Sequence, residues 1–566
     1  MAFGFPRAYD GKKQRSCDVR RVSPTLTRGG MIASQHPLVS ATGLRVLAEG
    51  GNAIDAAVAA ALVGTVVMPS RCGIGGDLFA VVARPDASGA WHDDDILAFM
   101  GSGIGPRNAS IEFMTEHGED APGGHRVLAQ HGPLSPSVPG FVDGAFALLD
   151  QYGTRSFAEL AEPAIGYAAK GFPLSPGEAQ AAAGLVDELK QYQATAAVFL
   201  RGGKSLKAGE VLRQPDLARS IAQIARGGPD VFYKGALAEA ITDYLAGNGG
   251  VLTMDDFADH ATDVGTPLST TYRGYTVYET ALPTQGHVVL EALNILENAP
   301  MGGYGISSAA GVHLSVSALR LAFADRRAYS GDPRFIDTPM GTLLDKAWAK
   351  ERYAAIPDGK PVTEAPGVIS AGNTTSLTCI DRDGLMISLI WTVSDSYGSR
   401  VVAGDTGIIL TNRAGHCFSL EPGHPNIYEP GKRTMHTLNC YLIADPDGTP
   451  VLVGGTPGGD YQPQWNLQTI TGLIDENFDV QQASEVPRWQ MGPATYPAER
   501  GEAFSLTIEE RVGEDALTGL EMMGYPLERV GAWGAGGSVQ VIARDPETGL
   551  LAGGSDPRAE GMAIGL

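Results

Sequence analysis

Hydroxyl side chains and a glycine-rich turn in the last third of the sequence have the residue types of a nucleophilic site. Residues 372–376 read Gly-Asn-Thr-Thr-Ser and enter a strand-like segment, and Thr392 follows in the next such segment. Residues 454–460 read Gly-Gly-Thr-Pro-Gly-Gly-Asp, a turn whose backbone N–H groups could converge on one point. A hydroxyl beside such donors suits acyl transfer, because the donors stabilise the oxyanion of the tetrahedral intermediate. Spacing alone does not distinguish this site from ordinary strand threonines and turn glycines.

The segments that would position this site indicate a layered α/β arrangement. Residues 36–70 form two helix-like runs separated by Gly50, Gly51 and Asn52, where glycine can adopt the positive φ that ends the first helix. The second run is rich in alanine and leads through the glycine-rich residues 71–77 into a strand-like run. A helix that delivers a glycine turn into a buried strand is typical of layered folds.

The rest of the chain divides into a helical part and a strand-rich part, with a boundary near residue 373. Between about residues 140 and 350 the pattern predicts helices at Phe141–Tyr152, Phe157–Lys170, Pro176–Leu200 and Val312–Tyr329. After about residue 370 it predicts short strands at Thr375–Asp381, Leu385–Val393, Gly407–Leu410, Leu438–Ile443 and Val451–Gly454.

Composition limits the partners and the compartment. The chain has 566 residues, 43% of them hydrophobic, and a formal charge of −22, which disfavours nucleic acid and anionic membranes as partners. The five cysteines are widely spaced without a Cys-x-x-Cys motif, so neither a disulfide framework nor a structural zinc site is indicated. The most apolar run, Ala53–Met68, contains Asp55 and is too short for a membrane span, and no secretory signal is recognised. We therefore expect a soluble, cytoplasmic protein.

Ten segments occur in an order that is typical of one protein family. They are GGNAIDAAVAAAL (50–62), GIGGDLF (73–79), SVPGFVDGAFALLDQYG (137–153), EPAIGYAAKGF (162–172), YRGYTVYE (272–279), LRLAFADRRAYSGDPRF (319–335), NTTSL (373–377), VAGDTGIIL (402–410), GTPGGD (455–460) and GSDPR (554–558). In these segments, which span nearly the whole chain, the sequence resembles the γ-glutamyltransferase family of N-terminal-nucleophile hydrolases.

The resemblance implies an α+β fold, a four-layer αββα sandwich built from two chains cut from one precursor. The cut would fall between Asn373 and Thr374, giving a helix-rich large subunit, residues 1–373, and a small subunit, residues 374–566, that pair as one αββα unit. It would free an α-amino group on Thr374 whose pKa is about 7.7–8.0, against about 10.4 for lysine. More of this amine is neutral at pH 7, so it can act as the general base for its own hydroxyl.

The resemblance also implies catalytic roles. In the precursor, the Thr374 hydroxyl would attack the carbonyl of Asn373 and give an ester that water opens. In the mature enzyme, Thr374 would attack a substrate amide and form an acyl-enzyme, with Thr392 supporting the nucleophile. The N–H groups of Gly458 and Gly459 would hold the oxyanion. Neither a metal nor a cofactor is expected in this scheme.

Several positions depart from the glutathione-type members of the family. Those members bind the glutamate end of the substrate with an arginine, and Met100 or Gly101 stands at that position here. They also use an aspartate, which is replaced by Cys417, and a Ser-Ser pair, which is replaced by His436-Thr437. A charge-assisted contact contributes about 1.5–3 kcal/mol, so losing both charged groups would cost roughly 3–6 kcal/mol in binding a free γ-glutamyl group. Nothing obvious replaces the acidic partner as an ammonium acceptor. We therefore expect an amide substrate that keeps an acid group but lacks an α-amino group.

Two further replacements and three segments refine this expectation. Ser394 replaces an asparagine near the nucleophile, and Arg413 replaces a glutamine; Arg413, Arg400 or Arg71 could bind the substrate carboxylate. Residues 412–426, 430–437 and 459–464 resemble the branch of the family that includes oxamate amidohydrolase. The predicted substrate-binding residues are Arg413, Ser394, His436, Thr437 and Asp460.

The predicted function is therefore hydrolysis of a small carboxylate-bearing amide such as oxamate. The alternative is a γ-glutamyltransferase or glutathione hydrolase that acts on γ-glutamyl amides. An acylase for larger side-chain amides, such as those of cephalosporins, and an unprocessed binding or scaffold protein that keeps the fold are also left open. The expected partners are a small-molecule amide and the paired subunits.

Some of these residues also have a structural explanation. Arg413 could form a structural ion pair, and His416 and His436 could be buried histidines at strand ends. Cys417 is expected to be a small buried hydrophobe rather than a nucleophile. His92–Asp95 is expected to be a solvated hairpin tip rather than a cation site. Residues 101–105 lack the GxGxxG fingerprint, which argues against a nicotinamide cofactor.

Overall fold

The computed structural model describes residues 3–5, 22–86, 89–362, 374–492, 495–499 and 503–566. Cys17 and Asn373, the residue before the predicted cut, lie outside the described residues. Within the described ranges, no helix combines the length and the apolarity that crossing a membrane requires.

The strands fall into two large sheets and several small ones. In chain order they are β1 (Thr25–Thr27), β2 (Gly30–Ser34), β3 (Asp77–Ala83), β4 (Ile96–Gly101), β5 (Glu119–Asp120), β6 (Arg126–Val127), β7 (Phe172–Pro173), β8 (Leu200–Arg201), β9 (Lys204–Ser205), β10 (Val211–Leu212), β11 (Asp263–Gly265), β12 (Leu268–Tyr272), β13 (Tyr275–Glu279), β14 (Thr375–Asp381), β15 (Met386–Thr392), β16 (Cys440–Ala444), β17 (Pro450–Gly455), β18 (Trp489–Gly492), β19 (Ser505–Glu509), β20 (Leu527–Val530), β21 (Gln540–Arg544), β22 (Leu551–Ser555) and β23 (Met562–Gly565).

The helices cover the outer faces of the two large sheets. In chain order they are α1 (Pro37–Ala48), α2 (Ala53–Val67), α3 (Ile111–Glu116), α4 (Phe141–Tyr152), α5 (Phe157–Lys170), α6 (Pro176–Gly184), α7 (Val186–Leu189), α8 (Gln193–Phe199), α9 (Pro215–Gly227), α10 (Asp230–Tyr233), α11 (Ala236–Gly247), α12 (Met254–Ala258), α13 (Gly286–Leu296), α14 (Met301–Tyr304), α15 (Ala309–Tyr329), α16 (Met340–Leu343), α17 (Lys346–Ala354), α18 (Arg413–Cys417), α19 (Tyr461–Ile474), α20 (Val480–Glu485) and α21 (Glu514–Met522).

Two seven-stranded antiparallel sheets form the centre of the molecule. The first sheet has the order β11-β4-β3-β15-β14-β2-β23, and the second has the order β1-β22-β21-β17-β16-β13-β12. Each sheet takes strands from both sides of residue 374, so the two predicted subunits interleave within the same sheets. Neither predicted subunit could complete either sheet without the other.

Three apolar clusters define four layers. One cluster joins α1, α2, α4, α5 and α9 to the outer face of the first sheet. A second joins α13, α15, α19 and α20 to the outer face of the second sheet. A third lies between the sheets, with Phe79, Ile390 and Ile380 from one and Leu442, Val453 and Ile542 from the other. The order is therefore helices, sheet, sheet, helices, as the predicted αββα sandwich requires.

Helix α2 shows how local chemistry builds the helical layer. All its residues are buried, and Asn52 caps its N-terminus in a capping box with Asp55. The Asp55 carboxylate also accepts hydrogen bonds from the N–H groups of Thr154 and Arg155, at 2.9 and 3.1 Å. At Gly64, an added Cβ would meet the Trp391 ring at 2.5 Å, so glycine lets the helix pack closely on β15. The acidic residue in this apolar run therefore anchors the helix start.

The elements agree with the sequence in most places and differ in three. The predicted helices Phe141–Tyr152 and Phe157–Lys170 and the strand Thr375–Asp381 are confirmed with identical bounds. The single helix predicted over Pro176–Leu200 is wrong, because the chain forms α6, α7 and α8 there and then enters β8. The strand predicted over Gly407–Leu410 is also wrong: the segment makes only isolated bridges. The stretch predicted to be mainly helical, residues 140–350, also contains β7–β13.

Candidate active site

Three polar side chains form a row across adjacent strands of the first sheet. Thr375 pairs with Trp391, so the preceding residue, Thr374, falls opposite Thr392, and Thr392 itself pairs with Asp77. Residues opposite each other in antiparallel strands project to the same face. That face is the one between the sheets, because Ile390 and Phe79, two residues along their strands, belong to the inter-sheet cluster. Thr374 is 2% exposed, so the row lies at a closed end of the inter-sheet space.

The glycine turn continues from the facing strand toward the same end. The Ser388 hydroxyl donates to the carbonyl of Gly454 at 2.8 Å, and a Cβ on Gly455 would lie 3.9 Å from the Cβ of Ser376. Strand β17 therefore crosses directly over β14 and β15, and the turn of residues 456–460 follows it. Gly458 and Gly459 both have positive φ, +132° and +57°. Within the described residues, neither of their N–H groups donates a hydrogen bond.

Gln285 and Arg326 hold the glycine turn in place. Gln285 Nε2 donates to the carbonyl of Gly459 at 2.9 Å and to that of Thr437 at 2.7 Å. Arg326 donates to the Gln285 side-chain oxygen and to Asp460, the latter at 2.7 and 3.2 Å. Asp460 also accepts from the N–H of Thr495 at 2.9 Å. Both carboxylate oxygens of Asp460 thus have protein partners, and its substrate-binding role stays a prediction.

Arg413 lies against the row of polar side chains. Its Nε is 3.5 Å from Oδ2 of Asp77, and both side chains are buried. Burial raises the pKa of Asp77 to about 7, although the nearby Arg413 charge acts in the opposite direction. Burial lowers the pKa of Arg413, but Cys417 and Asp77 together raise it above its usual value. The structure therefore brings Arg413 to the sheet end that carries Thr374.

Ser394 follows Thr392 in a left-handed backbone conformation, with φ of +84°. Its N–H donates to the Thr392 hydroxyl at 2.8 Å, and its own hydroxyl lies 3.0 Å from Nδ1 of His416. The His416 ring stacks on Tyr496 at a centroid distance of 3.9 Å. Burial lowers the pKa of His416 to about 4, so this histidine is neutral near pH 7. Ser394 is thus held between Thr392 and a neutral imidazole.

His436 and Thr437 border the same space from the second-sheet side. The His436 Nε2 atom contacts the Ser102 hydroxyl, and its ring packs on Phe79 at 4.8 Å. Burial lowers the pKa of His436 well below its usual value. The Thr437 hydroxyl accepts from Nη1 of Arg413 at 3.4 Å and from the Tyr496 hydroxyl at 3.3 Å. The predicted substrate-binding residues Arg413, Ser394, His436 and Thr437 therefore gather around one space.

The other two arginines considered for the substrate carboxylate have acidic partners elsewhere, whereas Cys417 contacts Arg413. Arg71 pairs with Glu178 at 3.5 Å, and Arg400 with Glu188 at 3.6 Å. The Cys417 thiol lies 3.3 Å from Nη1 of Arg413, and burial raises its pKa. Within the described ranges, no three His, Cys, Asp or Glu side chains form a group that could hold a metal ion.

Four residues of this site were not predicted from sequence. Asp77 lies in the segment GIGGDLF (73–79) but has no predicted role, and Ser102 lies in residues 101–105, which were used only to argue against a cofactor. Gln285 and Tyr496 carry no sequence signal that points to the site. Strand order was the missing information for Asp77 and Ser102, because β3 lies between β15 and β4 in the sheet.

Comparison with known proteins identifies the family. A family model described as gamma-glutamyltranspeptidase matches residues 39–566. The chain belongs to the gamma-glutamyltranspeptidase family. It is 37% identical over 544 residues to the glutathione hydrolase-like YwrD proenzyme of Bacillus subtilis (strain 168), covering 95% of this chain and 98% of that protein. The oxamate amidohydrolase proenzyme of Klebsiella pneumoniae subsp. pneumoniae is 33% identical over 550 residues, covering 96% of this chain and 99% of that protein.

A solved relative confirms the architecture. The crystal structure of cephalosporin acylase from Bacillus halodurans superposes with a TM-score of 0.88 at 32% identity, covering 100% of this chain and 99% of that chain. The αββα fold of the N-terminal-nucleophile hydrolases is therefore confirmed, as is the resemblance to this family. Because its relatives in the gamma-glutamyltranspeptidase family are named hydrolases, this chain is an enzyme of the same class.

Proposed function

We propose that the chain is a precursor that cuts itself between Asn373 and Thr374 and then hydrolyses amides with Thr374 as the nucleophile. Its relatives named above are called proenzymes. Thr374 is the residue directly before β14, so a cut there would leave its new amino group at a strand end beside its own hydroxyl. That amine would have a pKa of about 7.7–8.0 and would serve as the general base.

The proposed reaction assigns a group to each step. Thr374 Oγ1 attacks the amide carbon, its proton passes to the α-amine, and the amine then protonates the leaving nitrogen. Within the part of the chain that the structure describes, the N–H groups of Gly458 and Gly459 donate to no partner, and they would hold the oxyanion of the tetrahedral intermediate. The Thr392 hydroxyl, itself held by the Ser394 N–H, lies beside the nucleophile in the row. Water then opens the Thr374 ester and releases the acid.

The proposed substrate is a small amide that carries a carboxylate, of which oxamate is the simplest example. The observation that carries this proposal is the state of Arg413. It is buried, yet within the described residues only Nη1 donates hydrogen bonds, both of them long. By contrast, buried Arg326 donates to Asp460 through both Nη1 and Nη2. A planar guanidinium with unused donors is suited to binding a carboxylate in a bidentate manner.

Processing is tested first, by intact-mass measurement and N-terminal sequencing. The wild-type protein should give two pieces, the smaller beginning at Thr374, and Thr374→Ala should remain one chain. Thr375→Ala is the matched control, because Thr375 projects to the helical side of the sheet, where its hydroxyl lies 3.9 Å from the Met68 sulfur. A wild-type protein that stays whole yet turns over substrate would contradict the proposal.

Substrate class is tested by two assays on the processed enzyme. Ammonia release from oxamate should exceed release of the chromogenic amine from a γ-glutamyl anilide. The second candidate function, hydrolysis of γ-glutamyl compounds, is favoured by the name of the Bacillus subtilis relative. Faster release of the amine from the γ-glutamyl anilide would favour this second function.

We also propose a cytoplasmic location, which is supported by the free thiols of Cys72, Cys379, Cys417 and Cys440.

A further inference from the structure

The pair formed by Asp77 and Arg413 differs from the other buried ion pairs of the chain. Within the described residues, the two carboxylate oxygens of Asp77 have no hydrogen-bond partner. The same is true of Nε of Arg413, the guanidinium nitrogen that lies nearest to Asp77. Asp460, also fully buried, accepts from both terminal nitrogens of Arg326 and from Thr495. A buried ion pair inside a protein is normally completed by hydrogen bonds, because unsatisfied buried charges are costly. The Asp77–Arg413 pair therefore has the chemistry of a site that a ligand completes.

The titratable side chains next to this pair are uncharged near pH 7, and the other ionisable group of the space is the α-amine that the proposed cut gives Thr374. The neighbouring titratable side chains are His436, Cys417, Tyr496, Tyr233 and His416. Burial lowers the pKa of both histidines and raises that of the thiol and the two phenols, so all five are neutral near pH 7. Beyond them, Asp460 and Arg326 neutralise each other. With the Thr374 amine in the neutral form that the reaction needs, adding a substrate carboxylate beside an ionised Asp77 would leave one uncompensated negative charge in a buried space.

We propose that Asp77 is a specificity-determining residue that binds the substrate carboxylate as a neutral acid, donating its O–H while Arg413 donates its N–H groups. This inference rests on the proposed function, in which Arg413 holds a carboxylate. When Asp77 is ionised in the free enzyme, it takes one proton from solvent for each substrate carboxylate that binds. A carboxylic acid that remains neutral in a buried site can donate a hydrogen bond through its O–H, whereas an ionised carboxylate can only accept hydrogen bonds.

The position of Asp77 supports this role for the acid end of the substrate. Asp77 is opposite Thr392 in the strand register, and Thr392 is opposite Thr374, so all three project into the same space. Burial already holds the pKa of Asp77 at about 7, and a bound carboxylate would raise it further by repulsion. Near neutral pH, the proton is therefore readily available. An ammonium group on the substrate would have the opposite effect and would keep Asp77 ionised.

The test is calorimetric titration of the processed enzyme with oxalate, the acid released from oxamate. At pH 8, titrations in HEPES and in Tris, whose ionisation heats differ, report the protons exchanged on binding. We expect the wild type to take up close to one proton per site more than Asp77→Asn, which keeps the Thr374 amine and its own titration. The apparent affinity should fall about tenfold for each pH unit above the pKa of Asp77, because the ionised form competes with the ligand. Equal proton uptake by the wild type and Asp77→Asn would overturn the proposal.

Two variants complete the test. Asp77→Asn, which resembles the neutral acid in shape, should bind oxalate with close to one proton less taken up and with an affinity that falls less steeply from pH 7 to 8.5, where the Thr374 amine still titrates. Asp325→Asn is the matched control, because Asp325 is a buried aspartate paired with Arg352 on the outer helices α15 and α17. It should keep the wild-type pH dependence. If oxalate does not bind at any pH, this proposal fails, whereas chain cleavage and amide turnover test the proposed function separately.

Discussion

Gly455 lies directly across from Ser376: a Cβ placed on the glycine would stand 3.9 Å from the Cβ of the serine. Ser376 projects to the same face as Thr374, two residues before it on the strand. The two central sheets are therefore in direct contact beside the proposed nucleophile. This close approach carries the turn that contains Gly458 and Gly459 toward Thr374, since the turn directly follows β17.

The packing of β17 can be tested with two neighbouring glycines, of which Gly454 faces Tyr441 of its own sheet and Gly455 faces the other sheet. A Cβ on Gly454 would meet the buried ring of Tyr441 at 2.2 Å, whereas one on Gly455 would have the Ser388 hydroxyl at 3.3 Å as its nearest neighbour. Gly454→Ala should therefore lower the free energy of unfolding by about 1–3 kcal/mol, the usual cost of overpacking. Gly455→Ala should cost less. Urea denaturation followed by fluorescence measures both, and equal losses would contradict the packing described here.

The layered fold was predictable because its elements carry local signals. Strand β14 has a continuous run of strand-forming residues that leads into an Asp-Gly turn, and α2 begins at the Gly-Gly-Asn break. The strand predicted at Gly407–Leu410 failed for a tertiary reason. A Cβ on Gly75 would lie 2.2 Å from the carbonyl oxygen of Ile409, so the glycine turn packs closely against the backbone of this segment. Gly75 and Leu410 form one isolated β-bridge there instead of a ladder of paired residues.

The candidate site was predictable only in part. Thr374, Thr392 and the glycine turn came from motifs, but their neighbours depend on contacts between distant parts of the chain. Ser102 and His436 are 334 residues apart and yet touch. Asp77 could not be assigned a role before the strand order placed β3 beside β15, which aligns Asp77 with Thr392. Local sequence patterns do not specify such pairings, because they arise from the order of strands in the sheet.

Gly458→Ala should reduce turnover strongly. Its backbone has a φ of +132°, and an added Cβ would meet the Trp465 ring at 2.4 Å, so the turn must shift. Displacing one oxyanion donor typically lowers kcat by ~10²–10³. Gly531→Ala is the control, because nothing lies within 4 Å of its added Cβ. Steady-state kinetics of both purified variants provide the comparison, and an unchanged kcat for Gly458→Ala would rule out an oxyanion role for this turn.

Arg413→Gln should affect carboxylate-bearing substrates selectively. Removing the guanidinium eliminates a charge-assisted contact worth about 1.5–3 kcal/mol, so KM for oxamate should rise roughly 10- to 100-fold. Acetamide, which has no carboxylate, serves as the comparison substrate, and its kcat/KM should fall much less in the variant. The ratio of kcat/KM for the two amides is the measurement. An equal loss for both would mean that Arg413 only maintains the structure, as an ion pair with Asp77.

Asp77→Asn should change stability in a pH-dependent manner. Burial raises the pKa of Asp77 in the folded chain to about 7, above its value of 3.8 in an unfolded chain. Between these values the folded state holds a proton that the unfolded state has lost, so the wild-type protein loses stability as pH rises from about 4 to 7. The variant has no such group and escapes a penalty of up to about 4 kcal/mol at pH 8. Its Tm minus that of the wild type should therefore be more positive at pH 8 than at pH 4.5, and the same difference at both pH values would show that Asp77 is not buried as an acid.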